Sequence, residues 1–382
     1  MHRNKITIVG AGIPGLSLAL ILAKADFDVT IIDKYKLPKM SDVKPSARTT
    51  ALMQGSLKIL ERTGVWPEFK PQCTRLAQLS IIDDSAYPRG AGDMVREDFK
   101  AGELGLEEFG YNVPLIPMTA SLADLARANE NITIIEDVDI DQNHDAIRHA
   151  DLVVGANGRN SVVRTWSGID ADIKKYDQTA ITCVISHSQS HDNTSMEFHR
   201  SGGPCTFVPH GEGQSAVVWV EKTSDAAAFL KLPRDGFVQA LQDRTRGLLG
   251  KIDLVVEPES WPLMTLKANK LTAPKTVLIA EAAHVLSPIG AQGLNLSLRD
   301  VGALADILIN AHDIADASVL KSYERNRRRD MAPRHFGVDM LNQMVANDNV
   351  VVRGLRRLGL RAIRHIKPVR KILMEQGLSP KS

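Results

Sequence analysis

Residues 5–33, KITIVGAGIPGLSLALILAKADFDVTIID, constrain the fold more than any other stretch. The run 6–9 is short, apolar and β-branched, as a buried parallel strand is. Gly10, Gly12 and Gly15 follow as a GxGxxG turn. Leu16, Leu20 and Ala23 then recur at helical spacing, and residues 29–32 read as a second strand that runs into Asp33. Each position has a physical reason. Gly10 permits a tight turn off the strand, Gly12 leaves room for a pyrophosphate at the helix N-terminus, and Gly15 lets helix and strand pack closely. Asp33 stands where an acid accepts hydrogen bonds from an adenosine ribose. The flanking strand, helix and acid supply the context that a bare GxGxxG lacks. The pattern predicts a dinucleotide site and leaves NAD and FAD equally open.

A chain of 382 residues is too long for one simple core, so two intertwined domains are expected. Hydrophobic content of 43% and charge of 24% are those of an ordinary globular protein. A net charge of +2 gives no case for nucleic acid. Cys73, Cys183 and Cys205 are far apart in sequence, which argues against a zinc site, a redox dithiol or a disulfide framework. No metal site is expected. No signal-peptide pattern precedes the first strand, and no run of about 18 apolar residues exists. A cytoplasmic location is the expectation.

Along the chain, Ala51, Leu52, Ser56, Ile59 and Leu60 recur at helical spacing, with Gly64 as the stop and Arg48 just ahead. Arg48 either reaches a cofactor phosphate or ring or is a solvated surface residue. Residues 76–83 read as a strand, and polar, Gly-rich sequence follows to Gly105. Residues 118–128 form a predicted helix with Thr119 as N-cap; 132–135 and 151–155 are short strands. Residues 178–220 hold strand-like runs at short spacing, which predicts an antiparallel sheet. Residues 225–230, 234–241 and 244–249 read as helices. Residues 276–279 return to the buried-strand pattern and lead to a helix starting near Gln292. The tail is basic: residues 321–371 hold fourteen Lys/Arg against four Asp/Glu. Within it Val352, Leu355, Leu358, Ala362, Ile366, Val369 and Leu373 share one helical face. Such a helix either lies on an anionic membrane surface or packs on the domain with its basic face in water.

Three stretches together resemble the single-component flavoprotein monooxygenases, the FAD- and NAD(P)H-dependent aromatic hydroxylases. They are VGAGIPG with Asp33, DLVVGANGRNSVVR (151–164) and LIAEAAHVLSPIGAQGLNLSLRD (278–300). Finer features, above all PIGAQGLNLSLRD, resemble the ubiquinone-biosynthesis branch, which hydroxylates polyprenylated phenols.

The resemblance implies an α/β fold: a Rossmann-like FAD-binding domain of the para-hydroxybenzoate-hydroxylase type, an inserted antiparallel β-sheet substrate domain and a C-terminal helical tail. The expected division gives 1–75, 116–175 and 266–330 to the FAD domain, 76–115 and 176–265 to the substrate domain, and 331–382 to the tail. By position, Gly10, Gly12, Gly15 and Asp33 would hold the ADP half of FAD, and Arg48 would contact its pyrophosphate or flavin. Asn157 would belong to the middle motif, and Glu281 would meet the ribityl chain. Pro288 and Gly290 would wall the pocket beside the reactive flavin carbon. Gly293, Leu294 and Asn295 would turn backbone N–H groups to the flavin pyrimidine. The sequence departs from the family pattern in three places: Ala280-Glu281 stand for its Gly-Asp, Asn157 stands for its Asp, and the stretch from Ile132 to Asn157 is short, lacking strands often found there.

The implied chemistry is NAD(P)H reduction of FAD, addition of O₂ to give a flavin hydroperoxide, and hydroxylation of a hydrophobic phenol. Tyr111, His199 and His210 are candidates to assist phenol deprotonation, whereas His284 is expected to pack. A membrane-borne substrate gives the basic tail a reason to touch the inner membrane or a partner enzyme. A reductase or dehydrogenase without oxygen transfer, and a weakly active scaffold of a quinone-biosynthesis complex, are the alternatives.

Overall fold

The computed structural model describes residues 3–84, 94–200, 202–287, 289–346, 370, 371, 374 and 375. Two sheets dominate it. The first has six strands in the order Thr272–Ala273, Thr276–Leu278, Leu152–Gly155, Lys5–Val9, Asp28–Ile32 and Ile132–Ile135. All neighbours are parallel except the first pair. Lys5–Val9 is central, and Ile6 and Ile8 have no exposed surface.

The glycine turn feeds helix Ile13–Ala23, with Pro14 in its first turn, where a missing N–H costs nothing. This helix is buried nearly all round, because it is covered by the sheet on one side and by helices Gln54–Thr63, Leu115–Arg127 and Gln292–Ile309 on others. Helices Gln54–Thr63 and Gln292–Ile309 approach closely at Gly302, where a Cβ would stand 2.6 Å from Ile59 Cδ1.

The second sheet has eight strands: His284–Val285, Ile252–Ala268, Ala171–His187, Gln214–Lys222, Gly203–Pro209, Thr194–Arg200, Gln78–Asp83 and Val95–Lys100. It is antiparallel except where Thr194–Arg200 meets Gln78–Asp83. One face carries Phe198, Phe207 and Trp219 under helices Thr223–Phe229 and Arg234–Thr245. Trp219 is 1% exposed, and full burial of a large apolar side chain contributes about 1.5–3 kcal/mol. A third sheet has three strands, in the order Thr49–Met53, Gly110–Pro114 and Thr74–Leu76. It is joined to the eight-stranded sheet by the bond from Asn112 Nδ2 to the Pro209 carbonyl.

Several local expectations are corrected. Ala51 and Leu52 lie in strand Thr49–Met53, not in the helix, which starts at Gln54. Pairing with Gly110–Pro114 decides their conformation over their helical spacing. Thr119 is inside its helix, its hydroxyl donating to the Leu115 carbonyl, and the helix begins at Leu115 after Pro114. The polar stretch before Gly105 contains strand Val95–Lys100. Residues 244–249 form no helix of their own; Arg246, at φ 53, ends helix Arg234–Thr245. The apolar face of the tail, from Val352 to Val369 and at Leu373, falls outside the described residues, as does Pro288. Among the described residues no helix is long and apolar enough to cross a membrane.

Candidate active site

The glycine turn divides into two glycines that serve the fold and one that faces outward. Gly10 has φ +111, and a Cβ there would stand 2.4 Å from the Ala156 carbonyl oxygen. A Cβ on Gly15 would lie 2.0 Å from the Gly10 oxygen. Gly12 is exposed, has ordinary extended backbone (φ −70, ψ 175), and a Cβ there would meet only Pro14 Cδ at 3.8 Å. Gly12 is also the N-cap of helix Ile13–Ala23, which has no side-chain cap, so its first N–H groups have no partner within the helix. An open cradle lined by N–H groups without helical partners fits a pyrophosphate.

Asp33 closes the turn. Its Oδ2 accepts the Ala11 N–H at 2.6 Å and its Oδ1 accepts the Tyr35 N–H at 2.9 Å. Each carboxylate oxygen retains capacity for a further bond.

The middle motif packs against the same turn. The Asn157 Cα would stand 2.7 Å from a Cβ on Gly10. Asn157 Oδ1 accepts the Ser161 hydroxyl at 2.6 Å, and Ser161 Oγ caps helix Val162–Trp166 through the Arg164 N–H. Arg164, 9% exposed, donates to the Arg159 carbonyl at 2.8 Å and the Ala282 carbonyl at 3.0 Å, so it ties the middle motif to the third.

In the third motif Ala280 has φ 55, in the left-handed region that favours glycine. The Ala280 N–H donates to Asp300 Oδ2 at 2.9 Å. Glu281 is exposed on the turn Ala280–Ala282. Gly290 and Ala291 are both left-handed, at φ 70 and 51, and they aim the start of helix Gln292–Ile309. That helix also lacks a side-chain cap, which leaves the N–H groups near Gly293 and Leu294 without helical partners.

The side chain of Asn295 is spent on the protein itself. Its Oδ1 accepts the Met53 N–H and the Ser56 hydroxyl, and its Nδ2 donates to the Ala51 and Ala291 carbonyls. It fixes the helix start against strand Thr49–Met53. Arg48 leads into that strand, with its guanidinium 4.8 Å from the Trp261 ring centroid.

Behind this helix lies a charge network that sequence reasoning missed. His284 Nε2 is 2.6 Å from Asp300 Oδ2, and Arg327 Nε donates to Asp300 Oδ1 at 2.7 Å. Arg327 also pairs with Asp330, which pairs with Arg334, whose NH1 reaches Gln292 Oε1. Burial alone would raise the Asp300 carboxyl, but His284 and Arg327 hold it below the usual carboxylate range. His284, 1% exposed, is thus a buried structural histidine, as expected.

Of the other candidates, Tyr111 is packed edge-on against Trp66 at 5.4 Å and lies under the Lys70 ammonium. His210 sits in the turn after Pro209, its imidazole held below its ordinary pKa by burial. His199 is buried at 3% exposure beside Glu197, on the eight-stranded sheet. Gly10, Gly15, Asp33, Asn157 and the third motif are brought together, whereas Arg48 approaches from the three-stranded sheet.

The family described as "FAD binding domain" matches residues 3–100 and 120–333. The ubiquinone hydroxylase UbiL of Rhodospirillum rubrum is 28% identical over 98% of this chain and 89% of its own. The 3-demethoxyubiquinol 3-hydroxylase of Escherichia coli is 27% identical over 94% of each chain. The structure of p-nitrophenol 4-monooxygenase PnpA from Pseudomonas putida superposes with a TM-score of 0.76 at 18% identity, covering 100% of this chain and 99% of that one. With the family match spanning all three cofactor motifs, the chain belongs to the FAD-binding flavoprotein monooxygenases.

Proposed function

We propose that this monooxygenase hydroxylates the aromatic ring of a polyprenylated phenol in ubiquinone biosynthesis, using NAD(P)H and O₂. The observation that carries the reading is the nearly full-length similarity to ubiquinone hydroxylases. The arrangement of two uncapped helix N-termini supports it.

We assign the site residues as follows. Gly10 and Gly15 shape the turn, and Gly12 with the first N–H groups of helix Ile13–Ala23 receives the pyrophosphate. Asp33 adds acceptor capacity for the ribose. Arg48, Asn157 and Glu281 line the middle of the cofactor, and Gly290, with Pro288, walls the reacting side. The N–H groups of Gly293, Leu294 and Asn295 face the flavin pyrimidine, where the helix dipole favours negative charge. Bound FAD supplies the redox and oxygen-activating chemistry. The chain's own part is to bind, to orient the phenol and to keep water out. The division into an FAD domain (1–75, 116–175, 266–330), a substrate domain (76–115, 176–265) and a basic tail (331–382) belongs to the same proposal. The excess of Lys and Arg in the tail supports contact with an anionic membrane surface or a partner enzyme.

The test is direct. Purified protein should be yellow, and a prenylated phenol should accelerate NAD(P)H oxidation with formation of hydroxylated product. A flavin-loaded protein that oxidises NAD(P)H equally with and without every prenylated phenol would overturn the proposed substrate.

A further inference from the structure

The eight-stranded sheet has a second face, opposite the Trp219 core. On this face Leu79 and Ile81 share one apolar cluster with Met53, whose N–H is held by Asn295 in helix Gln292–Ile309. Ala180, Val220 and Leu263 form an apolar cluster on it. Glu197 and His199 stand on this face, directly opposite Ile81 and Asp83 of the neighbouring strand. Alternation along the strand puts Phe198, between them, into the core on the other side.

Glu197 and His199 form a pair. His199 Nε2 lies 2.6 Å from Glu197 Oε1. A ring nitrogen bonded to a carboxylate carries the hydrogen, which leaves Nδ1 as an acceptor lone pair. That Nδ1 is buried and has no hydrogen-bond partner among the described residues. Buried polar atoms are nearly always paired, so an acceptor that no described residue satisfies asks for a donor. Two other carboxylates on this face are engaged, and helix Ala317–Ala346 also contacts strands Thr194–Arg200 and Gly203–Pro209. Glu97, across Ile81 from Glu197, is bound by Arg370. Asp83, fully buried, has a partner of its own.

We propose that Glu197 and His199 receive the phenol hydroxyl of the substrate and ionise it. The phenol O–H bond breaks heterolytically, its proton passes to His199 Nδ1, and the electron pair stays on the phenolate oxygen. Glu197 positions the ring and balances the imidazolium. No electron changes hands in this step. The phenolate makes the ring electron-rich, as oxygen insertion into an aromatic carbon requires. The assignment rests on the phenolic substrate proposed above and names the residues that recognise it.

The experiment uses flavin-loaded protein and, as probe, a nitrophenol bearing a short isoprenoid chain, whose phenolate absorbs in the visible. Difference spectra across pH report the ionisation of the bound probe. In the wild type the bound phenol should ionise at least about tenfold more readily than in water. In His199→Gln and Glu197→Gln this advantage should disappear, and kcat with a turned-over phenol should fall about a hundredfold with KM little changed. Glu197→Gln exchanges one oxygen for one nitrogen, so it carries the same test if His199→Gln does not fold. Glu197→Asp, which keeps the charge, should recover part of the loss. A probe that binds and ionises in either Gln variant as in the wild type overturns the assignment alone. A wild-type holoprotein that binds no phenol overturns the proposed substrate and the assignment together.

Discussion

Gly12→Ala separates what the glycine turn does for the fold from what it does for the cofactor. In the folded chain an added methyl meets nothing nearer than Pro14 Cδ at 3.8 Å, and the backbone there is ordinary extended conformation. Alanine restricts the unfolded chain, which stabilises by about 0.4–1 kcal/mol. It also gives up glycine's preference for the N-cap, which costs a comparable few tenths to about 1 kcal/mol. The two nearly cancel, so the apoprotein should melt within about 2 °C of wild type. On the cofactor side the methyl occupies the line of approach of the pyrophosphate. Losing one charge-assisted hydrogen bond to a helix N–H costs about 1.5–3 kcal/mol. The Kd for FAD should therefore weaken by about tenfold to a hundredfold or more. Gly15→Ala is the contrast: its Cβ would stand 2.0 Å from the Gly10 oxygen, and about 3 kcal/mol or more of stability should go with it. Scanning calorimetry of the apoproteins and fluorescence titration with FAD read the two quantities independently. Wild-type FAD affinity in Gly12→Ala, or an apoprotein as damaged as Gly15→Ala, would refute the reasoning.

Three further outcomes follow from the same geometry. Asn295→Ala orphans the buried Met53 N–H and Ala51 carbonyl, and should cost about 2–4 kcal/mol in a denaturant titration. Asp300→Asn removes the buried carboxylate bound by His284 Nε2 and Arg327 Nε, while Arg327 keeps Asp330, and should cost about 3–5 kcal/mol near neutral pH. Because folding depresses the Asp300 carboxyl, its contribution is full above the unfolded value of about 4 and is lost as pH falls below it. Wild type should lose that stability on acidification, and Asp300→Asn should have none of it to lose. Burial pushes the thiols of Cys73 and Cys205 up to about 12 and raises that of Cys183 as well, so a thiol reagent at about pH 8 should leave the native protein unmodified. Rapid labelling without unfolding would contradict this.

The parts of the fold that were legible are those whose conformation is set locally. The strand–glycine–helix unit at residues 5–33 is one, and the helix beginning at Gln292 is another. Elements decided by distant partners were not. Thr49–Met53 has helical spacing but pairs with a strand some sixty residues on. Val95–Lys100 reads as charged and irregular because it is an edge strand whose Arg96 and Asp98 face partly outward, while Arg370 satisfies its buried Glu97. Helix start signals failed at Thr119, since the preceding proline, not a hydroxyl, marks the helix start at Leu115.

In the site, residue types and order were readable, but the partners were not. Nothing local links His284 to Asp300 and Arg327, or Arg164 to Ala282. Glu197 and His199 did leave a signal: two residues apart in a predicted strand, they had to share a face. The departure at Ala280 also acquires a physical meaning, as an alanine held where the chain turns left-handed.

Insertion of oxygen into the ring of a prenylated phenol, as proposed, is read by turnover under isotopically heavy O₂ with NAD(P)H and a prenylated phenol, followed by mass spectrometry of the product. One heavy oxygen atom in the product ring is the predicted result. Product without label, turnover that continues without O₂, or hydrogen peroxide as the sole oxygen product across a series of prenylated phenols would contradict it.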